Sequence, residues 1–335
     1  MAEKWSREKL LEVSGAFMLS RILITAAELD LFSKLETGPR TAENLSEKEG
    51  WDLRGLRILM DALAATGFLA RSSGGEYGLP HELADMLAAD REESVLPMIL
   101  HRGRMWESWS HLTEIVRTGK NPNPMGADSR SKEEMESFIG AMHVVGKMMA
   151  DTIAKSVDLT RYTRLLDVGG GPGTYTMAFL NRAPQMSATL FDLPDVAEMA
   201  RRRLERNGFL HRVDLAEGDF RTDDLPTGYD LVLLSAIVHM NSREGNRALF
   251  RKAYQALEPG GTILVRDHFL DESRTHPRDG AVFAVNMLTA TRAGNSYMYT
   301  EIREDLEACG FVDVRLIREG TKMDQLVSAV KEQAG

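Results

Sequence analysis

The chain of 335 residues contains one cysteine, Cys309. No disulfide can therefore form within it, and such usage fits a reducing compartment. Long apolar runs are also missing: none approaches the ~18 uninterrupted residues that would mark a membrane span. The opening stretch MAEKWSREKLLEVSGAF carries charges throughout and lacks the apolar centre of a signal peptide. These absences predict a cytoplasmic protein with no membrane partner. Positive charge is in deficit too, with 41 Lys and Arg against 50 Asp and Glu, a net charge of -9. That balance argues against a general nucleic-acid binder, which must neutralise phosphates, and suits a cationic ligand better. No cluster of His, Cys and Asp has metal-ligand spacing, so no metal is expected. Internal repeats and low-complexity tracts are absent.

Apolar residues make up 43% of the chain and charged residues 27%, the balance of a folded globular protein. The length allows one large core or two domains. Three textures follow one another. Residues 1–95 are helical with one interruption. EKLLEVSGAFMLSRILITAAELDLFSKL has apolar residues at helical spacing, and Thr41 is a candidate N-cap with Asn44 three positions on. WDLRGLRILMDALAATGFLARSSGGEYGLP then reads as a helix, a strand, a Ser-Gly-Gly turn and a second short strand, a winged-helix pattern. Residues 96–160 look all-helical around the turn-rich NPNPMGADS. Residues 161–335 alternate strand and helix, which implies a mostly parallel sheet covered on both faces. The last two strands, FVDVRLI and KMDQLVSAV, are too close for a crossover helix. They are expected to pair as a hairpin, leaving the last strand antiparallel to the sheet.

LLDVGGGPGT follows a strand and opens a helix, the setting in which a glycine loop approaches a ligand. The spacing Gly169-x-Gly171-x-Gly173 ends in Thr174, where a dinucleotide fingerprint has Gly or Ala. There is no Gly-Lys-Ser/Thr, so a P-loop is excluded. The loop suits a nucleoside without a pyrophosphate. Asp192 ends the second strand, where a carboxylate accepts from both ribose hydroxyls. Asp219 and Phe220 end the third, placed to accept from an exocyclic amine and to pack on a purine face.

LLDVGGGPGT, FDLPDVAEMAR, EGDF, ALEPGGTILV and FAVNMLTATRAG together resemble the S-adenosylmethionine-dependent O-methyltransferases of the caffeic-acid and acetylserotonin type. The resemblance runs from about residue 20 to 330. It implies a Rossmann-like class I methyltransferase sheet behind an N-terminal winged-helix dimerisation domain (1–95). The linker (96–160) would contribute to the substrate pocket, and residues 161–335 would bind the cofactor. Gly169, Asp192, Asp219, Phe220 and Ser235 would line the cofactor site, with Asp167, Gly171 and Leu193 beside them. The family often carries lysine where this chain has Ser235.

In the same resemblance the catalytic base stands at His239, and the acid that orients it at Asp267, in place of the family's usual glutamate. Methylating a phenol needs such a base. The hydroxyl titrates near ~10 and an imidazole near ~6.5. A carboxylate that orients the imidazole improves it. The family's His-Asp-Trp is His239-Met240-Asn241 here, and its second glutamate is Tyr297. Met142, His143, Asn286, Met287 and Tyr297 are the candidate contacts to the methyl acceptor, and a homodimer is implied. His268 is expected to be structural, because neighbouring strand residues point to opposite faces. Two other readings stand beside methylation of a hydroxyl. One keeps the fold and cofactor for carbon or nitrogen methylation, or for non-methylating chemistry. The other is a winged-helix DNA-binding regulator, which residues 1–100 oppose with 11 Lys/Arg against 17 Asp/Glu.

Overall fold

The structure, a computed structural model, describes residues 4–88, 91–122 and 131–333. Most of the turn-rich stretch after residue 120, residues 123–130, lies outside them. The chain forms two compact units, Met1–Trp106 and Glu107–Gly335.

The first unit contains helices α1 (Arg7–Gly15), α2 (Phe17–Glu28), α3 (Leu31–Glu36), α4 (Ala42–Glu49) and α5 (Leu53–Ala65). Strands β1 (Ala70–Arg71) and β2 (Tyr77–Gly78) pair antiparallel, and α6 (His81–Leu87) follows. Thr41 caps α4 by accepting from the Asn44 amide at 3.2 Å, and Asp52 caps α5 through Gly55 at 2.6 Å. Phe32, Leu45, Met60, Leu63 and Tyr77 form the buried centre, and the Tyr77 hydroxyl donates to Asp61. One feature departs from the sequence expectation. Arg7–Glu28 is long and apolar enough, by length and composition, to cross a membrane. Its side chains Leu10, Leu11, Val13, Phe17, Met18 and Leu19 are exposed. Arg21 and Glu28, which interrupt the apolar run, form an ion pair.

Helix α7 (Leu96–Ser110) precedes α8 (Leu112–Thr118), α9 (Lys132–Lys147) and α10 (Ala150–Lys155). Ser131 and Glu134 make a reciprocal capping box at the start of α9. Then strands and helices alternate: β3 (Arg164–Val168), α11 (Thr174–Arg182), β4 (Ser187–Asp192), α12 (Pro194–Arg206), β5 (Val213–Glu217), β6 (Tyr229–Ser235), α13 (Arg243–Ala256) and β7 (Leu257–Asp267). The short β8 (Phe269–Leu270), α14 (Arg278–Ala290), β9 (Tyr297–Met298) and α15 (Tyr299–Glu307) lead to the hairpin β10 (Phe311–Arg318) and β11 (Gln325–Lys331). The seven-stranded sheet has the order β10-β11-β7-β6-β3-β4-β5. Its strands are parallel from β3 to β7, and β11 is antiparallel to β7. This mostly parallel sheet is the one the alternation implied, and with its antiparallel β11 it has the class I methyltransferase architecture that the resemblance implied.

The strands RLLDV and DLVLL are buried on both faces, as central parallel strands must be. One core lies under α13 and α15, with Phe250 and Leu306. The other lies under α10, α11 and α12, with Ile153, Phe179 and Leu204. Helix α13 stops at Ala256. Pro259 has no amide proton to donate, and the strand register jumps from Tyr229↔Leu257 to Leu231↔Thr262 across the Gly-Gly step. Parallel registration brings the carboxyl ends of β3, β4, β5, β6 and β7 to one rim.

Candidate active site

The glycine loop leaves β3 at Val168 and enters α11 at Thr174. Gly169 has φ +65, and a Cβ built on it would lie 2.5 Å from the Ile237 side chain. Gly171 has φ +54 and opens onto free space. Asp192 ties the loop to the next strand. Its carboxylate accepts from the amides of Gly171 and Leu193, each at 2.8 Å. Lone pairs remain on that carboxylate for a ligand's hydroxyls. Asp167 is buried at the end of β3. One oxygen accepts from the Thr176 hydroxyl at 2.6 Å, and the other has no partner among the described residues. Burial raises both Asp167 and Asp192 to about 6.

Asp219 and Phe220 sit at the same rim after β5. The Asp219 carboxylate is gripped by Arg221, whose Nε and Nη2 lie within 3.0 Å of it, and these bonds hold its pKa down. A ligand's amine would share that carboxylate with Arg221. A small cavity separates Phe220 and Arg221 from Asn241 and Leu249. Asn241 stands where the family resemblance has tryptophan, so a smaller side chain borders this space. Ser235 ends β6 and is not free: its hydroxyl accepts from Arg266 Nε at 2.7 Å.

His239 lies in the short turn Val238–Met240, which begins two residues after Ala236, whose backbone is left-handed with φ +61. Its Nδ1 lies 2.9 Å from both carboxylate oxygens of Asp267. Asp267 has no exposed surface and His239 only 7%. Burial would raise the Asp267 carboxyl, but the His239 imidazole and its hydrogen bonds hold it below the ordinary value. The Asp267 carboxylate accepts a hydrogen bond from Nδ1–H, so the neutral ring carries its lone pair on Nε2.

The backbone around His239 is held at four points. Its amide donates to Asp267 at 3.3 Å and its carbonyl accepts from Asn295 at 2.9 Å. The Asn246 side chain donates to the Val238 carbonyl at 2.9 Å, and the Tyr297 hydroxyl donates to the carbonyl of Asn241. Gly294 admits no side chain, because a Cβ there would run into the His239 carbonyl oxygen.

The candidate acceptor residues are brought together only in part. Phe283, Asn286 and Met287 share one face of α14, and the Phe283 ring meets His239 edge-on at 4.9 Å. Asn286 accepts from the Trp109 indole at 3.0 Å, and Met287 is buried. On α9, Met142 is half-buried and His143 Nδ1 lies 2.8 Å from the Thr174 hydroxyl, beside the glycine loop. The Tyr297 hydroxyl is committed to the His239 turn, and burial raises it to about 12. His268 departs from the alternation argument. The strand ends at Asp267, so His268 also touches Phe283, at 5.2 Å. Its Nδ1 is buried without a partner among the described residues, and burial lowers its pKa. Phe283, Asn246, Asn295 and Arg266 were not read from the sequence. Only Phe283 left a signal, at helical spacing from Asn286 and Met287.

This rim has the features a sulfonium nucleoside requires: a loop open to close approach, a carboxylate for the ribose, and an orphaned carboxylate oxygen for an ammonium. The fold and site define an S-adenosylmethionine-binding methyltransferase. Residues 109–312 match the O-methyltransferase domain, and residues 11–90 match the O-methyltransferase dimerisation domain. The chain is 33% identical to the tetracenomycin polyketide synthesis 8-O-methyl transferase of Streptomyces glaucescens, over 91% of each chain. It is 31% identical to the 3-hydroxy-5-methyl-1-naphthoate 3-O-methyltransferase of Streptomyces sahachiroi, over 92% of this chain and 90% of that one. Human N-acetylserotonin methyltransferase, solved in complex with S-adenosylmethionine, superposes with a TM-score of 0.84 at 26% identity, covering 99% of this chain and all of that one. The chain belongs to the O-methyltransferase family, and its cofactor is S-adenosylmethionine.

The raised carboxyls give cofactor binding a pH dependence. A carboxyl whose folded pKa is raised stabilises the ligand-free protein fully below its unfolded value, and loses that contribution as pH rises through about 6. Ligand binding needs both groups ionised. S-adenosylhomocysteine affinity is therefore expected to drop as pH falls through about 6, by up to about tenfold per unit for each carboxyl. Calorimetry at pH 6 in buffers of different ionisation enthalpy should show protons released on binding. Buffer-independent heats would refute the linkage.

Proposed function

We propose that this enzyme methylates a hydroxyl of a small aromatic or polyketide-like metabolite, with His239 as the general base and Asp267 as the group that orients it. The observation that carries this reading is the bond from His239 Nδ1 to the buried Asp267 carboxylate, which leaves Nε2 as the proton acceptor. S-adenosylmethionine supplies an already activated methyl on a sulfonium. The protein aligns the acceptor oxygen with that methyl. As the O–C bond forms and the C–S bond breaks, the hydroxyl proton passes to His239 Nε2. The developing imidazolium is stabilised by Asp267. The edge of Phe283 keeps the imidazole from rotating.

The cofactor would be held by Asp167, Gly169, Gly171, Asp192, Leu193, Asp219, Phe220 and Ser235. The acceptor would lie against α14 and α9, where Met142, His143, Asn286 and Met287 stand. The Trp109–Asn286 bond supports a role for the segment 96–160 in that wall. Tyr297 braces the His239 turn. The names of two similar enzymes, a polyketide 8-O-methyl transferase and a naphthoate 3-O-methyltransferase, favour a fused-ring acceptor. A panel of naphthols, hydroxynaphthoates and polyketide phenols with methyl-labelled cofactor tests this. A product methylated on oxygen is expected. Methylation only on carbon or nitrogen would reject the reading.

From Leu11 onward, the exposed apolar face of α1 and α2 lies within the matched dimerisation domain, and a second copy is its occupant in this reading. The enzyme acts as a cytoplasmic homodimer. Sedimentation at micromolar concentration should give twice the chain mass. Leu11→Glu, made at a side chain 72% exposed, should shift it toward monomer. A wild-type monomer under those conditions would contradict the proposal.

A further inference from the structure

Arg266 is a buried cation, only 4% exposed, at the carboxyl end of β7. Among the described residues no carboxylate lies within ion-pair distance of it. Its Nε donates to Ser235 and one Nη donates to the Met323 carbonyl. Its guanidinium lies over the Tyr175 ring, 4.6 Å from the centroid. A guanidinium has five N–H donors, so three stay unused. Burying an unpaired charge is costly, and a protein tolerates it where a ligand completes the pair. A second orphan lies alongside: the Tyr175 hydroxyl is buried and has no hydrogen-bond partner among the described residues.

Strand parity puts these groups on one face. Leu165, Leu233 and Leu264 all enter the core under α11. Asp167, Ser235 and Arg266, each two positions further on, point the same way at the rim. Tyr175 covers them from the first turn of α11. Gly146 of α9 packs on Thr174 and Tyr175 from above; a Cβ there would meet them at 3.3 and 3.4 Å. The enclosure therefore offers an orphaned carboxylate oxygen on Asp167, an unpaired guanidinium and an orphaned phenol. That set matches a zwitterionic α-amino acid, with the ammonium at Asp167 and the carboxylate at Arg266.

We propose that Arg266 binds the carboxylate of the cofactor's methionyl end, with Tyr175 Oη as a second donor and Ser235 holding the guanidinium in place. The cation that the family often carries as lysine at the end of β6 has moved here to the neighbouring strand. The Ser235–Arg266 hydrogen bond joins the two positions. This inference rests on S-adenosylmethionine as the cofactor, and its test needs no acceptor.

The test is calorimetric binding of S-adenosylhomocysteine and of 5′-methylthioadenosine, which keeps the nucleoside and lacks the amino-acid end. Arg266→Met is expected to weaken S-adenosylhomocysteine roughly 30-fold, the scale of a lost charge-assisted hydrogen bond, and to leave methylthioadenosine within about twofold. Ser235→Lys combined with Arg266→Met should recover most of the loss. Equal weakening of both ligands, unchanged S-adenosylhomocysteine binding, or a double variant no better than the single would each overturn the proposal. If Arg266→Met does not fold, Tyr175→Phe decides. It keeps the ring under the guanidinium and should cost S-adenosylhomocysteine about fivefold and methylthioadenosine nothing. Wild-type affinity for S-adenosylhomocysteine in that variant would overturn the proposal. If neither ligand bound the wild-type protein, the cofactor assignment itself would fail, an outcome distinct from a failure at Arg266.

Discussion

His239→Ala is expected to lower kcat about 10³-fold while S-adenosylhomocysteine still binds. A positioned base contributes ~10² to 10⁴ in rate, and a neutral phenol is a poor nucleophile at pH 7. The imidazole faces Asp267 and Phe283, whereas the described groups at the glycine loop are Asp167, Asp192 and the loop amides. The loss should therefore appear in turnover and spare cofactor affinity. Asp267→Asn is the companion test. Its amide can present an N–H to Nδ1, which favours the tautomer with the proton on Nε2 and removes the base. We expect a loss of ~10² to 10⁴-fold, by analogy with the carboxylate of a catalytic triad. The two residues act as a unit, so the double variant should be little worse than either single one. The check is single-turnover kinetics with the best acceptor from the phenol panel. Near wild-type turnover in His239→Ala would remove His239 as the base.

The second large effect is expected at the glycine loop. In Gly169→Ala the new Cβ stands 2.5 Å from Ile237, on a backbone with φ +65. The left-handed conformation alone costs an alanine about 1–2 kcal/mol. Ile237 lies just before the Val238–Met240 turn, so it cannot yield without disturbing His239. The backbone must give way instead, and with it the Gly169 amide bond to the Phe191 carbonyl at 2.8 Å. We expect cofactor affinity to fall ~100-fold or more, because the loop no longer closes on the ligand. Gly171→Ala is the contrast. It carries the same left-handed strain but meets nothing within 4 Å, so its loss should be smaller. Equal losses at the two positions would show that backbone strain alone sets the effect. Calorimetry with S-adenosylhomocysteine measures both.

Much of this site was legible because the relevant signals are local or follow from chain order. A glycine loop between strand and helix, an acid ending each of the next two strands and a histidine ending the fourth can be read one segment at a time. Parallel topology then puts all of them at one rim, since every crossover returns the chain to the same end of the sheet. Asp267 belongs to this group, one strand beyond His239. Its reading as the orienting acid came from the family resemblance, and the structure brings the two within 2.9 Å. The His268 expectation shows where such reasoning stops. Alternation holds inside a strand, and β7 ends one residue too early to govern His268.

What the sequence determined by itself is the architecture and which residues stand at the strand ends. These depend on periodicity, on turn residues and on the number of residues between strands. The tertiary structure decided everything that needs two distant segments in contact. Register between β6 and β7 sets Ser235 against Arg266, and so occupies a hydroxyl that the sequence left open. Helix packing lays Phe283 against both histidines. The loop after α14 meets the His239 carbonyl through Gly294 and Asn295, and Tyr297 reaches the same turn. No local pattern encodes such contacts, because each depends on how separate elements pack and on the shape of side chains far apart in the chain.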